Sequence, residues 1–265
     1  MTDHSLVYLY GVVPAGAPPP PPGLAGLDDG GVRLLPVGDV AAVVSDVDGA
    51  TYAEDVLDER LRDLAWVGER GLAHERVATW FADRGPIIPF TLFSLHRSEA
   101  RLRERLAERA PQLRERLERL AGRREWGIKL WRDEARFARQ VAGLSAPLQA
   151  LEAEMATAAP GRRYLLRKKQ DALRADESRR VAAEIVRTVY ATLAGEAEAA
   201  RALPLPPAAA SGAERVLVLH AAFLVSEAGF AAFQQRVQAL EAAHREAGFT
   251  WEFTGPWPPY HFAHD

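Results

Sequence analysis

The sequence predicts an α+β protein of two domains, on three observations. Trp126, Ile128 and Leu130 alternate with Gly127, Lys129 and Trp131, and a period of two marks a strand with one apolar face. This stretch, which opens at Glu125, separates two long charged regions with helical spacing, residues 98–120 and 133–195. Apolar runs of strand length stand near both ends of the chain, at residues 6–13 and 216–225, and 265 residues are enough for two ordinary domains.

Composition narrows the class. Apolar residues make up 48% and charged residues 26% of the chain, the balance of a globular protein with a sizeable core. The net charge is −3, from 33 basic and 36 acidic residues, without the basic excess that displaces counterions from nucleic acid. There is no cysteine, so disulfides and thiolate metal sites are excluded, which fits a reducing cytoplasm. Met1-Thr2-Asp3-His4 starts no basic-then-apolar signal segment. No apolar run reaches the roughly 18 residues that span a bilayer. The expectation is no nucleic-acid partner and no membrane span.

In order, residues 6–13 are apolar on both faces and read as a central strand. Pro18–Pro22 form a stiff surface loop rather than a sheet strand; a Pro-rich ligand is the alternative. Asp28-Asp29-Gly30-Gly31 signals a turn, and residues 32–36 and 40–45 follow as strands around Gly38-Asp39. A helix then starts near Glu54 and Asp55, with Leu57, Leu61, Leu64, Gly68 and Leu72 at spacings of three and four as its apolar face. His74, Trp80 and Phe81 come toward its end, and Arg84-Gly85-Pro86 breaks it.

Residues 87–93 are strongly apolar, and Pro89 puts them at a sheet edge or a bend. Ser98 is placed to cap the next helix. Its apolar positions are Leu102, Leu106, Leu113, Leu117 and Leu120, and Pro111 kinks or divides it. After the pivot strand a helical hairpin is expected: one arm over residues 133–158 with a kink at Pro147, a turn at Pro160-Gly161, and a second arm to about Leu193. Leu166, Leu173, Val181, Ile185, Val189 and Leu193 are its inward positions. Arg162-Arg163 and Arg167-Lys168-Lys169 read as a solvated face, with an acidic partner as the alternative. Residues 203–212 are a low-complexity loop. Then come a buried strand at 216–225, a helix marked by Phe230, Phe233, Val237, Leu240 and Ala247 and closed by Gly248, and a strand on Phe249, Trp251 and Phe253, together a crossover unit. The tail carries Trp257, Tyr260 and Phe262 among three prolines, and its apolar area calls for docking.

Little in the chain points to catalysis. Neither glycine-rich phosphate-loop pattern occurs, nor a G-x-S-x-G elbow, nor H-E-x-x-H. His261 and His264 lack an evident third metal ligand and read as solvated or locally hydrogen-bonded; His220 reads as a satisfied core histidine. No catalytic, cofactor or metal residues are nominated.

Several stretches together resemble the GvpL/GvpF family of gas vesicle proteins: Tyr8-Leu9-Tyr10-Gly11-Val12-Val13, the helix carrying His74, Ile87-Ile88-Pro89-Phe90, Glu125-Trp126-Gly127-Ile128-Lys129, residues 217–225, and Thr254-Gly255-Pro256-Trp257-Pro258-Pro259-Tyr260-His261-Phe262. The chain departs from the family's Phe-Gly-Thr-like turn, since Phe90-Thr91-Leu92-Phe93 has no glycine. The resemblance implies a modified ferredoxin-like N-terminal domain, residues 1–121. It implies a second α+β domain, residues 122–265, with a long helical hairpin and the docked tail. The pivot strand is expected in the second sheet, with the first as the alternative.

The resemblance further implies a non-enzymatic accessory or minor structural protein, found in the gas vesicle and the cytoplasm. It would bind the small hydrophobic shell protein GvpA and other gas vesicle proteins, assist nucleation and assembly, and limit shell-protein aggregation. Candidate partner-binding residues are Pro86, Ile87, Ile88, Pro89, Phe90 and Phe93 at the expected sheet edge, and Trp257, Tyr260 and Phe262 in the tail; the same residues also have a purely structural reading. Two other classes stay open. One is a small-molecule-sensing regulatory protein, favoured by an apolar pocket at a sheet. The other is an enzyme with a site assembled from distant residues.

Overall fold

The computed structural model describes residues 5–206 and 215–264. The N-terminal tetrapeptide and residues 207–212 of the low-complexity loop lie outside the described residues. The chain divides into two compact units. One runs to Glu125 and takes back the chain from Pro256; the other is Trp126–Gly255.

In the first unit, β1 (Ser5–Pro14) lies inside a sheet ordered β2-β3-β1-β4, where β2 is Arg33–Val37, β3 is Val40–Asp48 and β4 is Ile88–Pro89; β5 (Leu95–His96) also pairs with β1. Burial of β1 from Val7 to Val13 follows from this interior place. Its pairing with β3 is antiparallel and slips between Leu9 and Gly11. Gly11 lies opposite Pro89. A Cβ on Gly11 would meet Ile87 and the Ile88 carbonyl at 2.8 Å, so the close crossing of β4 requires glycine there.

Four helices complete this unit: α1 (Glu54–Arg60), α2 (Leu64–Ala82), α3 (Glu99–Ala107) and α4 (Ala110–Leu120). Ser98 caps α3 through the Arg101 N–H, and Pro111 stands in the first turn of α4, so the proline divides the expected helix. All five leucines assigned to it are buried.

The helix after Thr51 departs from expectation. Asp63 accepts from the Ala65 and Trp66 N–H groups and starts α2 afresh. The core face of α2 is then Trp66, His74, Val77, Ala78 and Phe81, while Leu61, Leu64 and Leu72 are 45%, 84% and 69% exposed. Spacing identified an apolar stripe correctly but not the side it faces; the cap and the packing of Trp66 and His74 set the phase.

The second unit holds β6 (Arg123–Asp133), α5 (Glu134–Leu144), α6 (Ala146–Thr157), α7 (Pro160–Gly195), β7 (Ala199–Ala202), β8 (Arg215–Ser226), α8 (Phe230–His244) and β9 (Phe249–Trp257). The sheet order is β7-β8-β6-β9, so the pivot strand is interior to the second sheet and α8 carries the chain across it. Asp133 and Ser145 cap α5 and α6, and Pro147 and Pro160 stand in first helical turns. The inward residues of α7 are those expected, with Leu173 half-buried. Phe137, Phe223, Phe233 and Phe249 are fully buried at the centre. Strand β7 was not expected, because Ala-Ala-Arg-Ala carries no strand signal. Among the described residues no helix is long and apolar enough to cross a membrane.

The expected boundary at 121/122, with the tail in the second domain, differs from this division. The tail belongs to the first unit, because its polar groups find their partners there.

Candidate functional site

Several of the stretches that carry the family resemblance meet in the first unit, namely β1, the helix carrying His74, residues 87–90, Glu125 and the tail from Pro256, whereas residues 126–129 and 217–225 lie in the second. Residues two apart on β1 share a face, and the Tyr8 and Tyr10 rings lie there tilted by 55° with centroids 4.7 Å apart. Tyr8 Oη lies 2.7 Å from His74 Nδ1 on α2, and accepts from the Phe93 N–H at 3.2 Å. Tyr10 Oη lies 2.9 Å from Ser45 Oγ on β3 and accepts from the Leu27 N–H at 2.7 Å. A Cβ on Gly26 would sit 2.1 Å from Tyr10 Oη, so that glycine keeps room for the hydroxyl.

The tail closes this cluster. Tyr260 donates to Glu75 Oε2 at 2.9 Å, and its ring lies 6.1 Å from that of His74. Glu125, 3% exposed, accepts from the His261 backbone N–H at 2.8 Å and lies 2.6 Å from His261 Nδ1. His264 Nε2 meets the Pro89 carbonyl at 2.7 Å. The two tail histidines are thus hydrogen-bonded, but to residues distant in the chain rather than locally, and among the described residues no group of three or more candidate ligands could hold a metal.

Burial sets the electrostatics. It pushes the Tyr8, Tyr10 and Tyr260 hydroxyls up, so they stay protonated. It pushes His74 down to about 4, against a smaller opposing effect of the Phe90 backbone, so the imidazole is neutral at pH 7. A neutral imidazole beside a phenol has the composition of a general base. Yet His74 is 4% exposed and Tyr8 and Tyr10 are fully buried, so no substrate reaches it. The cluster is a hydrogen-bonded brace.

The candidate partner residues are distributed unevenly. Ile87, Ile88 and Pro89 are buried in the core, and Pro86 is half-buried. The segment is at the sheet edge, as Pro89 indicated, but the tail covers that edge through His264. Tyr260 and Phe262 are half-buried, Tyr260 within the brace, and Trp257 is 40% exposed. Phe90 and Phe93 line an open hollow of about 580 Å³ with Leu95, His96 and Arg105. Phe93 has φ +64°, a conformation suited to glycine, in the segment that lacks the family's turn glycine. Its ring stacks on Trp66 with centroids 5.4 Å apart, which holds the backbone there.

The surface that sequence reasoning missed is the outer face of α2. Leu64, Gly68 and Leu72 recur every fourth residue and are exposed, with Leu61 just ahead of them. A Cβ on Gly68 would meet nothing within 4 Å, so the stripe is open. Its leucines were visible in the sequence; their outward direction follows from the Asp63 cap.

Comparison with known proteins matches residues 6–264 to the family model described as gas vesicle synthesis protein GvpL/GvpF. A gas vesicle protein L from Streptomyces sp. (strain CB03234) is 32% identical, covering 99% of this chain and 94% of its own. Gas vesicle protein L2 of Halobacterium salinarum is 31% identical over 91% of this chain and 84% of its own. Among solved structures, GvpF from Anabaena sp. PCC7120 superposes with a TM-score of 0.68 at 20% identity, covering 98% of this chain and 99% of that one. GvpF from Microcystis aeruginosa gives 0.63 at 18% identity, covering 97% and 98%.

Proposed function

Since the chain belongs to the GvpL/GvpF family of gas vesicle synthesis proteins, we propose that it is a non-enzymatic assembly factor that binds the hydrophobic shell protein GvpA. One observation carries this reading: Leu64 and Leu72 face solvent on one side of α2, Leu64 at 84% exposure, and Leu61 is exposed in the turn that precedes it. Exposed apolar area in a row is a docking surface for apolar area on a partner, at roughly 25 cal/mol per Å² removed from water. A shell subunit with a large apolar face self-associates in water; a partner that covers that face holds it available for nucleation. The reading includes a cytoplasmic pool and a minor share in the vesicle.

The test is capture of GvpA by this chain at physiological and at high salt. Capture should persist in high salt, because screening weakens exposed charge pairs far more than apolar contact. Leu64→Asp with Leu72→Asp should reduce it roughly tenfold or more without changing the unfolding temperature, since both side chains are outside the core. No capture of soluble, assembly-competent GvpA in either condition would sink the reading.

A further inference from the structure

The start of α7, where it turns back from α6, is strongly basic. Residues 160–170 hold five basic residues and no acidic one, in a chain whose net charge is −3. The structure divides the five by task. Arg162 pairs with Glu154 of α6. Arg163 donates to the carbonyls of Met155 and Ala158, each at 3.1 Å, where α6 ends. These two guanidinium groups close the hairpin. Arg167, Lys168 and Lys169 are exposed and have no ion pair among the described residues. The α6 carboxylates beside them are engaged, Glu154 by Arg162 and Glu152 by the Gln170 amide at 3.3 Å. Asp171, one turn on, is exposed and also makes no ion pair among the described residues.

Apolar area stands beside this charge. Leu166 is buried and Leu173 packs on the core, which fixes the phase of this part of α7. Tyr164 and Leu165 therefore turn outward, 59% and 66% exposed. The Lys168 ammonium lies 5.1 Å from the centre of the Tyr164 ring. Gly161, Leu165, Lys168 and Ala172 recur at spacings of four, three and four, and all are exposed. That is the spacing by which one helix packs along another. A Cβ on Gly161 would meet nothing within 4 Å, so the face is open at its start. At 1.5 Å per residue it is about 17 Å long. Pro206 and Arg215, where the described chain is interrupted, stand beside Arg179 and Arg187. Arg179 is ten residues along α7 from Lys169, about 15 Å away.

We propose that this face of α7 binds an acidic amphipathic helix of a partner protein. The form of the occupant follows from the surface: one helix with an open side offers neither a sheet edge nor a deep pocket, and a second helix fits along it. Its charge follows from Arg167, Lys168 and Lys169, which are answered by carboxylates on the flanks of the incoming helix. Its pattern follows from Tyr164 and Leu165, which are covered by aliphatic side chains at heptad spacing. An anionic lipid surface suits the face less well, because Asp171 is repelled there and only two large apolar side chains are available to enter it. This interface goes beyond the α2 reading. It is on the other unit and rests on charge beside a different apolar pair, so either can fail without the other.

The experiment is a fluorescence anisotropy titration of the full chain with a labelled peptide, three repeats of Leu-Ala-Gln-Leu-Glu-Ala-Glu. Two control peptides accompany it: one with lysine for every glutamate, and one with proline at the centre of the second repeat, which breaks the helix. Saturable binding of the acidic peptide is expected, with roughly tenfold or greater weakening for both controls. The same weakening is expected for the Lys168→Glu/Lys169→Glu chain and for the Leu165→Asp chain. Both variants alter exposed side chains and should keep the parent's unfolding curve. Failure of the acidic peptide to bind saturably, equal binding of the lysine peptide, undiminished binding of the proline peptide, or parental affinity in both variants would each overturn the proposal. Sedimentation of the chain with phosphatidylserine vesicles, lost in the Lys168→Glu/Lys169→Glu chain and without peptide binding, would overturn it in favour of a lipid surface.

Discussion

The two units solve the problem of filling a core differently. The first places hydroxyls and an imidazole at its centre: Tyr8, Tyr10, Ser45 and His74 are all buried and joined by hydrogen bonds. The second is filled by aromatic and aliphatic carbon, with Phe223 and Phe233 at 5.4 Å and Trp126 stacked on Phe230 at 4.3 Å. A carbon core depends on volume and is indifferent to pH. A polar core is sensitive to protonation and to the direction of each donor, and in exchange it admits one arrangement of its parts.

The largest effect should come from emptying the second core. Phe233→Ala removes a fully buried ring, and by the usual scale for such truncations it should cost about 3–5 kcal/mol. Denaturant unfolding followed by hydrogen exchange should show the loss in Trp126–Gly255, with no dependence on pH between 5 and 8. Loss of protection in the first unit alone would contradict the contrast.

The next effect is electrostatic. His74 titrates near 4 when folded and near its ordinary 6.5 when unfolded. Between those values the unfolded chain binds the extra proton, so this contribution is complete above about pH 6.5 and declines as pH falls toward 4. The full span amounts to about 3 kcal/mol. The facing groups are Tyr8 through its hydrogen bond and the rings of Tyr10 and Tyr260. Their raised values keep them neutral throughout this window. Stability of the first unit measured by denaturant at pH 4.5 and 7 should show the decline, and His74→Gln should flatten it. An unchanged slope in that variant would assign the acid sensitivity elsewhere.

The smallest effect concerns one backbone angle. Phe93→Gly and Phe93→Ala both lose the ring, but at φ +64° glycine should be the more stable of the two by about 1 kcal/mol. That reverses the ordinary order of these residues, and thermal unfolding of the pair would detect it.

Local chemistry was the legible part of this fold. Pro111 and Pro147 marked breaks in the helical pattern, which the structure makes the first turns of new helices, Ser98 marked a cap, and the leucines of α3 and α4 their buried faces, because each signal acts within a turn of its own residue. The α2 stripe shows the limit. Period reveals that Leu64, Gly68 and Leu72 share a face, but which face meets the core depends on Trp66 and His74 meeting Tyr8, Tyr52 and Phe93 from distant parts of the chain. The Pro86–Phe93 segment was placed at a sheet edge correctly, yet its availability depends on His264, 175 residues away from Pro89. The brace was half-legible, since its members stand in the motifs, while their convergence is a property of the folded chain.

The return of the tail to the first unit has a consequence for synthesis. The ribosome makes the chain from the N-terminus, and a domain ordinarily folds once its last residue has emerged. Here the first unit includes residues from Pro256 onward, so it waits for the whole second unit to be translated. Until then Glu125 lacks His261 and the Pro89 carbonyl lacks His264, and the first unit is an unfinished object on the ribosome. Its completion therefore waits for the residues from Pro256 onward, and a nascent fragment that stops before them has no finished first unit.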